Sequence, residues 1–299
     1  MPIVDIDPWY ASILTCPDCE ETFVRREPEK LWCVTCAIER PLKANANLLP
    51  RKPRSRHVEF PLNFDPEPYL SRLDFERPEA TYVGPLGLRD GTELLSVLQQ
   101  SLSSAGRVLD LGCGPKDQAT PVTSLGHEYV GVDYANPAAD LLADAHQLPF
   151  QTASFDFIFS YTVLEHLHNP FLALQEISRV LKPGGIMCGT VSQGEPFHNS
   201  FFHHTAWGVI SVCAANQFEV IRIWPCWDTL DGLASMGRYS KLIRLGLRCL
   251  GAANARMPFL SPRKMRWPER EKALDRLHRA ASIGFVIKNR KSAAVNTDA

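Results

Sequence analysis

Val108-Leu109-Asp110-Leu111-Gly112-Cys113-Gly114-Pro115 is followed about twenty residues later by Tyr129-Val130-Gly131-Val132-Asp133. One apolar strand ends in a glycine turn and the next ends in a carboxylate, the arrangement that grips a nucleoside. The glycines let backbone approach the ligand, and the acid accepts hydrogen bonds from ribose hydroxyls. Dehydrogenases and methyltransferases share this device, so the two stretches decide the fold before they decide the chemistry.

Working outward, the chain alternates helix and strand from about Gly91. Leu94, Leu95, Val97 and Leu98 have helical spacing and lead into a strand from Arg107 to Asp110. Further strands are predicted at Tyr129 to Asp133, Leu141 to Asp144, Phe155 to Ser160, Ile186 to Val191, Phe218 to Ile223 and Ile283 to Lys288. Phe155 to Ser160 is almost continuously apolar, as a strand buried on both faces should be. Pro170 to Leu181 carries proline at a helix start and an apolar stripe, and Lys182-Pro183-Gly184-Gly185 stops it. The prediction is an α/β fold: a doubly wound, Rossmann-like seven-stranded sheet.

Six ordered motifs then narrow the class. Asp110-Leu111-Gly112-Cys113-Gly114, Gly131-Val132-Asp133, Asp144-Ala145-His146-Gln147-Leu148-Pro149-Phe150, Phe155-Asp156-Phe157-Ile158-Phe159-Ser160, Leu164-Glu165-His166-Leu167 and the run from Glu176 to Gly185 stand at compatible spacing. The segment from Ser101 to Val191 resembles the class I S-adenosylmethionine-dependent methyltransferases of the small-molecule type. The resemblance implies S-adenosylmethionine as cofactor. It places Asp110, Gly112 and Gly114 along the methionine end, Asp133 on the ribose diol and Asp144 with Ala145 at adenine. Ser160 and Tyr161 would close the wall. Pro115-Lys116-Asp117 stands where many members carry a third glycine. A proline there suits a cofactor without phosphates better than a dinucleotide.

The nine cysteines divide unevenly. Cys16-Pro17-Asp18-Cys19 and Cys33-Val34-Thr35-Cys36 are tight pairs, and the other five are scattered. An odd count without framework spacing points to a reducing compartment. The paired four have zinc-ribbon spacing, each short loop aiming two thiolates at one tetrahedral ion. A redox Cys-x-x-Cys would need one pair and a following helix. A ribbon this short buries little apolar surface, so structural zinc would supply its folding free energy.

The 299 residues, 45% hydrophobic with formal net charge -1, suffice for a full core and a second small module. The predicted organisation is a zinc ribbon with N-terminal arm over 1–49, a connector over 50–90, the methyltransferase domain over 91–291 with a helical lid inserted at 224–282, and a disordered tail over 292–299. No apolar run is long enough to span a bilayer, and the start lacks a signal-peptide pattern. The expected compartment is the cytoplasm. Neither sequence pattern nor charge indicates an oligomeric state.

The loop after the fifth strand, Glu195-Pro196-Phe197-His198-Asn199-Ser200-Phe201-Phe202-His203-His204, sets three imidazoles over the carboxyl ends of the strands. His198, His203 and His204 are the candidate catalytic residues, able to take a proton from a hydroxyl or amine. A simple lid is the competing use. Glu165-His166 reads rather as a helix start holding the cofactor. Ser160-Tyr161-Thr162-Val163 stands where adenine or glutamine methyltransferases carry an asparagine-proline-proline-aromatic run, and Cys226 follows the sixth strand, out of place for a cytosine-C5 nucleophile.

Residues 238–272 hold ten Lys and Arg against two Glu, a local charge of +8, with Arg238, Lys241, Arg244 and Arg248 at helical steps among leucines. Phosphorylated carriers, a membrane surface or RNA would meet it, and a solvated face on a lid is the plainer use. The function expected is methyl transfer to O or N of a small molecule or a glycan or lipid-carrier precursor. One alternative is a ribosomal RNA base methyltransferase, since the ribbon and Asn47-Leu48-Leu49-Pro50 resemble the layout of the guanine-N1 enzymes. A second is a non-catalytic cofactor-binding scaffold whose ribbon docks a partner.

Overall fold

The computed structural model describes residues 8–27, 29–52, 69, 71–76, 78, 92–194, 199–236, 239–256 and 268–290. A short 3-10 turn, Trp9–Ile13, precedes a three-stranded antiparallel sheet of β1 (Val24–Glu27), β2 (Lys30–Cys33) and β3 (Ile38–Pro41). The two cysteine pairs sit before β1 and around the β2–β3 turn.

The main sheet contains β5 (Arg107–Leu111), β6 (Glu128–Asp133), β7 (Leu141–Leu142), β8 (Phe155–Tyr161), β9 (Leu181–Ser192), β10 (Phe218–Asp228) and β11 (Ala280–Asn289). An eighth strand, β4 (Ala46–Asn47), joins from the N-terminal module, giving the order β10-β11-β9-β8-β5-β6-β7-β4. β5 to β9 run parallel to one another, and β11 lies antiparallel to both β9 and β10. β5 continues to β6 on one side and meets β8 on the other, so the order reverses at β5. That reversal opens a crevice at the carboxyl ends of the strands.

Alternation along each strand feeds two cores. Leu109, Leu111, Val130, Val132 and Ile158 face one side, and Val108, Tyr129, Phe157 and Phe159 the other. α1 (Thr92–Ser101) supplies Leu94, Leu95 and Leu98 to the second core. Further helices among the described residues are α2 (Ala119–Ser124), α3 (Pro170–Val180), α4 (Ala206–Ala215), α5 (Thr229–Met236), α6 (Lys241–Arg256) and α7 (Glu269–His278). Asn169 caps α3 by accepting from the Leu172 amide at 3.1 Å, and Thr205 caps α4 through Gly208 at 3.1 Å.

Differences from the sequence expectation have local causes. The third strand ends at Leu142 because the chain turns back at Asp144, whose carbonyl accepts from the Gln147 amide at 2.9 Å. Lys182 to Gly185 ends the helix but is itself part of β9, with Gly184 at a φ of 77°. Trp224–Asp228 belongs to β10 rather than to the insertion, whose described residues form α5, α6 and α7.

The N-terminal module is welded to the main domain. Tyr10, Ile13, Leu14, Leu31, Leu42, Ala46 and Leu48 share the first core. Thr15 N donates to Pro149 O at 3.0 Å, Gln151 N to Ile13 O at 2.9 Å and Leu48 N to Leu142 O at 2.9 Å. On the opposite edge, Asp74 forms a parallel bridge with Arg222 of β10, accepts from the Ile223 amide at 2.9 Å and pairs with the Arg222 guanidinium at 2.7 Å.

Candidate functional site

A cavity of about 560 Å³ opens at the carboxyl ends of β5, β6, β7 and β8. Gly112 and Asp133 form one side, Asp144, Ala145 and His146 another, and Thr162 and Val163 the wall beyond β8. His166, His168, Tyr134 and Phe201 complete the lining, with Tyr134 and Phe201 exposed.

The glycine turn is built for close approach. Gly112 adopts a φ of 71°, and a Cβ there would lie 2.4 Å from Val163 Cγ2. Only glycine fits both the left-handed backbone and the contact. Asp133 then fixes the turn: Oδ2 accepts from the Gly114 amide at 3.1 Å, and Oδ1 from the Ala135 and Asn136 amides at 3.0 and 2.9 Å. A strand-end carboxylate satisfied by backbone donors is oriented before any ligand arrives.

Asp144 is held by its own loop. Oδ1 accepts from the His146 amide at 2.9 Å and lies 2.6 Å from His146 Nδ1. Burial pushes its pKa up, but these bonds and the neighbouring imidazoles outweigh it and the net shift is downward. His146 stacks against His168 at 4.1 Å between ring centroids, and its Nε2 accepts from the Asn169 amide at 3.2 Å.

The loop carrying Asp144 rests on a buried ion pair that motif reading left unexplained. Glu176 and Arg179 of α3 pair at 2.8 Å. Glu176 Oε2 accepts from the Leu148 amide at 3.0 Å, while the Arg179 guanidinium donates to the Leu148 and Phe150 carbonyls at 2.8 and 2.5 Å. Each buried charge thus meets both its partner and backbone of the same loop. Glu165 does similar work opposite: its side chain accepts from the Ser192 amide at 3.1 Å, and its carbonyl from the Phe201 and Phe202 amides at 2.8 and 3.2 Å. The spacing of Glu176 and Arg179 in one helix turn was the available signal; their target was not visible.

The structure brings Gly112, Asp133, Asp144 and Ala145 together on the cavity and Gly114 against Asp133. Asp110, Ser160 and Tyr161 are not in the lining. Asp110 is buried beneath the turn, accepting from the Tyr129 hydroxyl at 2.7 Å, and burial first, then nearby Asp117, Asp133 and Asp140, pushes its pKa up to about 7 against that hydrogen bond. Ser160 is fully buried, and Thr162 and Val163 form the wall in its place.

The candidate histidines divide. His198 lies outside the described residues, His203 is exposed, and neither His203 nor His204 lines the cavity. His204 is buried with Nε2 3.3 Å from Leu164 O, and burial lowers its pKa. Among the described residues, the imidazoles at the cavity are His146, His166 and His168, in the segments after β7 and β8 rather than in the longer loop after β9.

Cys16, Cys19, Cys33 and Cys36 converge, all four Sγ atoms lying within 4.8 Å of one another. A tetrahedral thiolate site with metal–sulfur distances of about 2.3 Å places sulfurs at such separations. Cys19 and Cys33 Sγ are 3.3 Å apart, and the Cys36 amide donates to Cys33 Sγ at 3.4 Å. Asp18, between the first pair, accepts from the Arg51 amide at 2.6 Å and pairs with Arg40. The donor set fits a structural metal. Gln147, in the loop after Asp144, reaches this site, its Nε2 donating to the Pro17 carbonyl.

A doubly wound sheet with a cavity between a glycine turn and two carboxylates defines a nucleoside-cofactor domain. Residues 109–189 match the methyltransferase domain family, and this match together with the fold supports a class I S-adenosylmethionine-dependent methyltransferase domain. The chain is 35% identical over 125 residues to a biotin biosynthesis bifunctional protein of Cellvibrio japonicus, covering 37% of this chain and 25% of that protein. It is 35% identical over 133 residues to an uncharacterized methyltransferase of Mycobacterium sp. strain KMS, covering 39% and 52%. With a ubiquinone biosynthesis O-methyltransferase of Maricaulis maris it shares 36% over 104 residues, covering 29% and 41%. The chain therefore spans about half or less of the length of these relatives.

Proposed function

We propose that the protein transfers a methyl group from S-adenosylmethionine to an oxygen or nitrogen of a small molecule. The carrying observation is the cavity between the Gly112 turn, Asp133 and Asp144. In this reading Asp133 receives the ribose diol, Asp144 and the Ala145 backbone receive adenine, and Gly112 and Gly114 admit the methionine portion. Asp110 acts from beneath, through Tyr129 and the turn. The cofactor, when bound, supplies an electrophilic methyl on a sulfonium.

The chain's own residues then have two tasks. Val163, Leu167 and Phe201 exclude water and hold the acceptor in line, which is the larger part of such a transfer. His166 and His168, at the same wall, are the imidazoles placed to take the acceptor's proton. His203 and His204, the residues first singled out, serve the loop instead. An acceptor hydroxyl is favoured by the relatives named as O-methyltransferases.

In the same reading the four cysteines hold structural zinc, and the metal knuckle braces the cofactor loop through Pro17 and Gln147. A transfer assay with methyl-labelled S-adenosylmethionine, run separately on small-molecule extract and on RNA, tests the proposal. Label in the small-molecule fraction is expected. Label in RNA alone, or in neither, would overturn it.

A further inference from the structure

Helix α6 turns its apolar side outward. Among its sixteen residues, Leu242 is 82% exposed, Leu245 61%, Leu250 60% and Ile243 52%. Residues of a helix step by about 100°, so Leu242, Leu245 and Cys249 fall within one narrow arc. Ile243 and Leu250 extend that arc on one flank, and Lys241 and Arg248 border the other. The inner side holds Gly251, which is buried, and Leu247, which is half-buried, where the helix packs on α5. A surface helix of a water-facing domain carries the reverse arrangement.

Charge tells what covers this face. Lys241, Arg244 and Arg248 are exposed, and no Asp or Glu occurs from 241 to 256. A second copy of the helix would set cation against cation. Nucleic acid would meet the cations but leave the leucines in water. A bilayer with anionic headgroups meets both at once, acyl chains below and phosphates at the flank.

We propose that the outward face of α6 is a docking surface for an anionic lipid bilayer, on which the helix lies in the plane of the interface. No helix among the described residues is long and apolar enough to cross a membrane, so the contact is peripheral. Its place in the fold gives the docking a direction. β10 is antiparallel to β11, which is antiparallel to β9, so β10 runs with the parallel strands. α5 and α6 therefore leave the sheet at its carboxyl edge, the edge that carries the cavity. The inference stands on the helix alone and does not depend on the methyl-transfer reading.

The full chain is tested by co-sedimentation with vesicles of phosphatidylcholine and phosphatidylserine in about a 2:1 ratio, beside vesicles of phosphatidylcholine alone. Binding to the anionic vesicles is expected and should be lost in the Leu242→Asp, Leu245→Asp double variant, whose sites are exposed. Replacing Lys241, Arg244 and Arg248 by Gln should weaken binding about fivefold for each cation removed, on the order of a hundredfold together. This second variant decides the matter should the first misfold. Failure of the wild type to bind anionic vesicles overturns the proposal, as does equal binding to both vesicle types. A concentration-dependent dimer in sedimentation velocity that the Asp variant dissociates, without vesicle binding, would assign the face to a second copy instead.

Discussion

Asp133 and Gly114 are joined by a hydrogen bond of 3.1 Å from the glycine amide to the carboxylate that faces the cavity. One acid therefore shapes the glycine turn and stands ready for a ligand. Asp133→Ala removes both functions, Asp133→Asn only part of them. The Ala variant should lose about 100-fold or more in S-adenosylmethionine affinity, the worth of two charge-assisted hydrogen bonds. Titration calorimetry checks this, and full affinity in the Ala variant would remove Asp133 from the cofactor site.

Gly112→Ala meets two obstacles, a φ of 71° and a methyl 2.4 Å from Val163 Cγ2. A stability loss of about 2 kcal/mol or more is expected, with weakened cofactor binding. Pairing it with Val163→Ala should recover part of the loss in urea unfolding. No recovery would mean that backbone strain alone carries the cost.

Metal and cofactor should be coupled. Purified protein is expected to carry about one zinc by elemental analysis. Stripping the metal should lower the melting temperature and raise the dissociation constant for S-adenosylmethionine, because Gln147 and Pro149 bond to the segment carrying Cys16. In Gln147→Ala the cofactor affinity should fall with the zinc content retained. Equal affinity of metal-free and metal-loaded protein would uncouple the two sites.

Asp110 sets a pH dependence of folding. Burial lifts its carboxyl to about 7 in the folded protein, so between about pH 4 and 7 the native state holds a proton that the unfolded chain has lost. Stability contributed by the protonated acid is present below that window and lost as pH rises through it, by at most about 4 kcal/mol. Asp110→Asn keeps an acceptor for Tyr129 and should flatten this slope. Urea unfolding at about pH 5 and 8 provides the comparison, and an unchanged slope would contradict the assignment.

His168→Ala and His166→Ala should lower turnover about 10-fold or more while cofactor affinity changes little, the signature of lost proton transfer. His203→Ala, away from the cavity, should leave turnover unchanged. The reverse pattern would return the base to the loop after β9.

The parallel strands were legible because burial on both faces leaves an apolar run, and the cavity acids because each closes such a run. Asp110 differs: it is the last residue but one of β5, and alternation sends it under the turn to Tyr129 rather than into the cavity lining. Glu176 and Arg179 were legible as part of a helix but not as supports, since their partners are backbone carbonyls and amides about thirty residues earlier. β4 has two residues and no pattern of its own; its place comes from pairing with Leu141 and Leu142 and from the adjoining Asn45, which donates to the Asn136 and Ala139 carbonyls. Loop imidazoles could be counted but not aimed: His168 lines the cavity and His203 does not.

The bridge of Asp74 to Arg222 and the pairing of Ala46 with Leu141 lie at opposite ends of the main sheet. Between them, chain that precedes the first parallel strand occupies both margins where backbone amides and carbonyls would otherwise be open to another molecule's strands. A domain cut to begin near α1 would keep every cavity residue and expose those two margins. Its failing would be self-association into sheet-like aggregates, in addition to the loss of the contacts from Thr15 and Pro17 to the loop at Gln147 and Pro149.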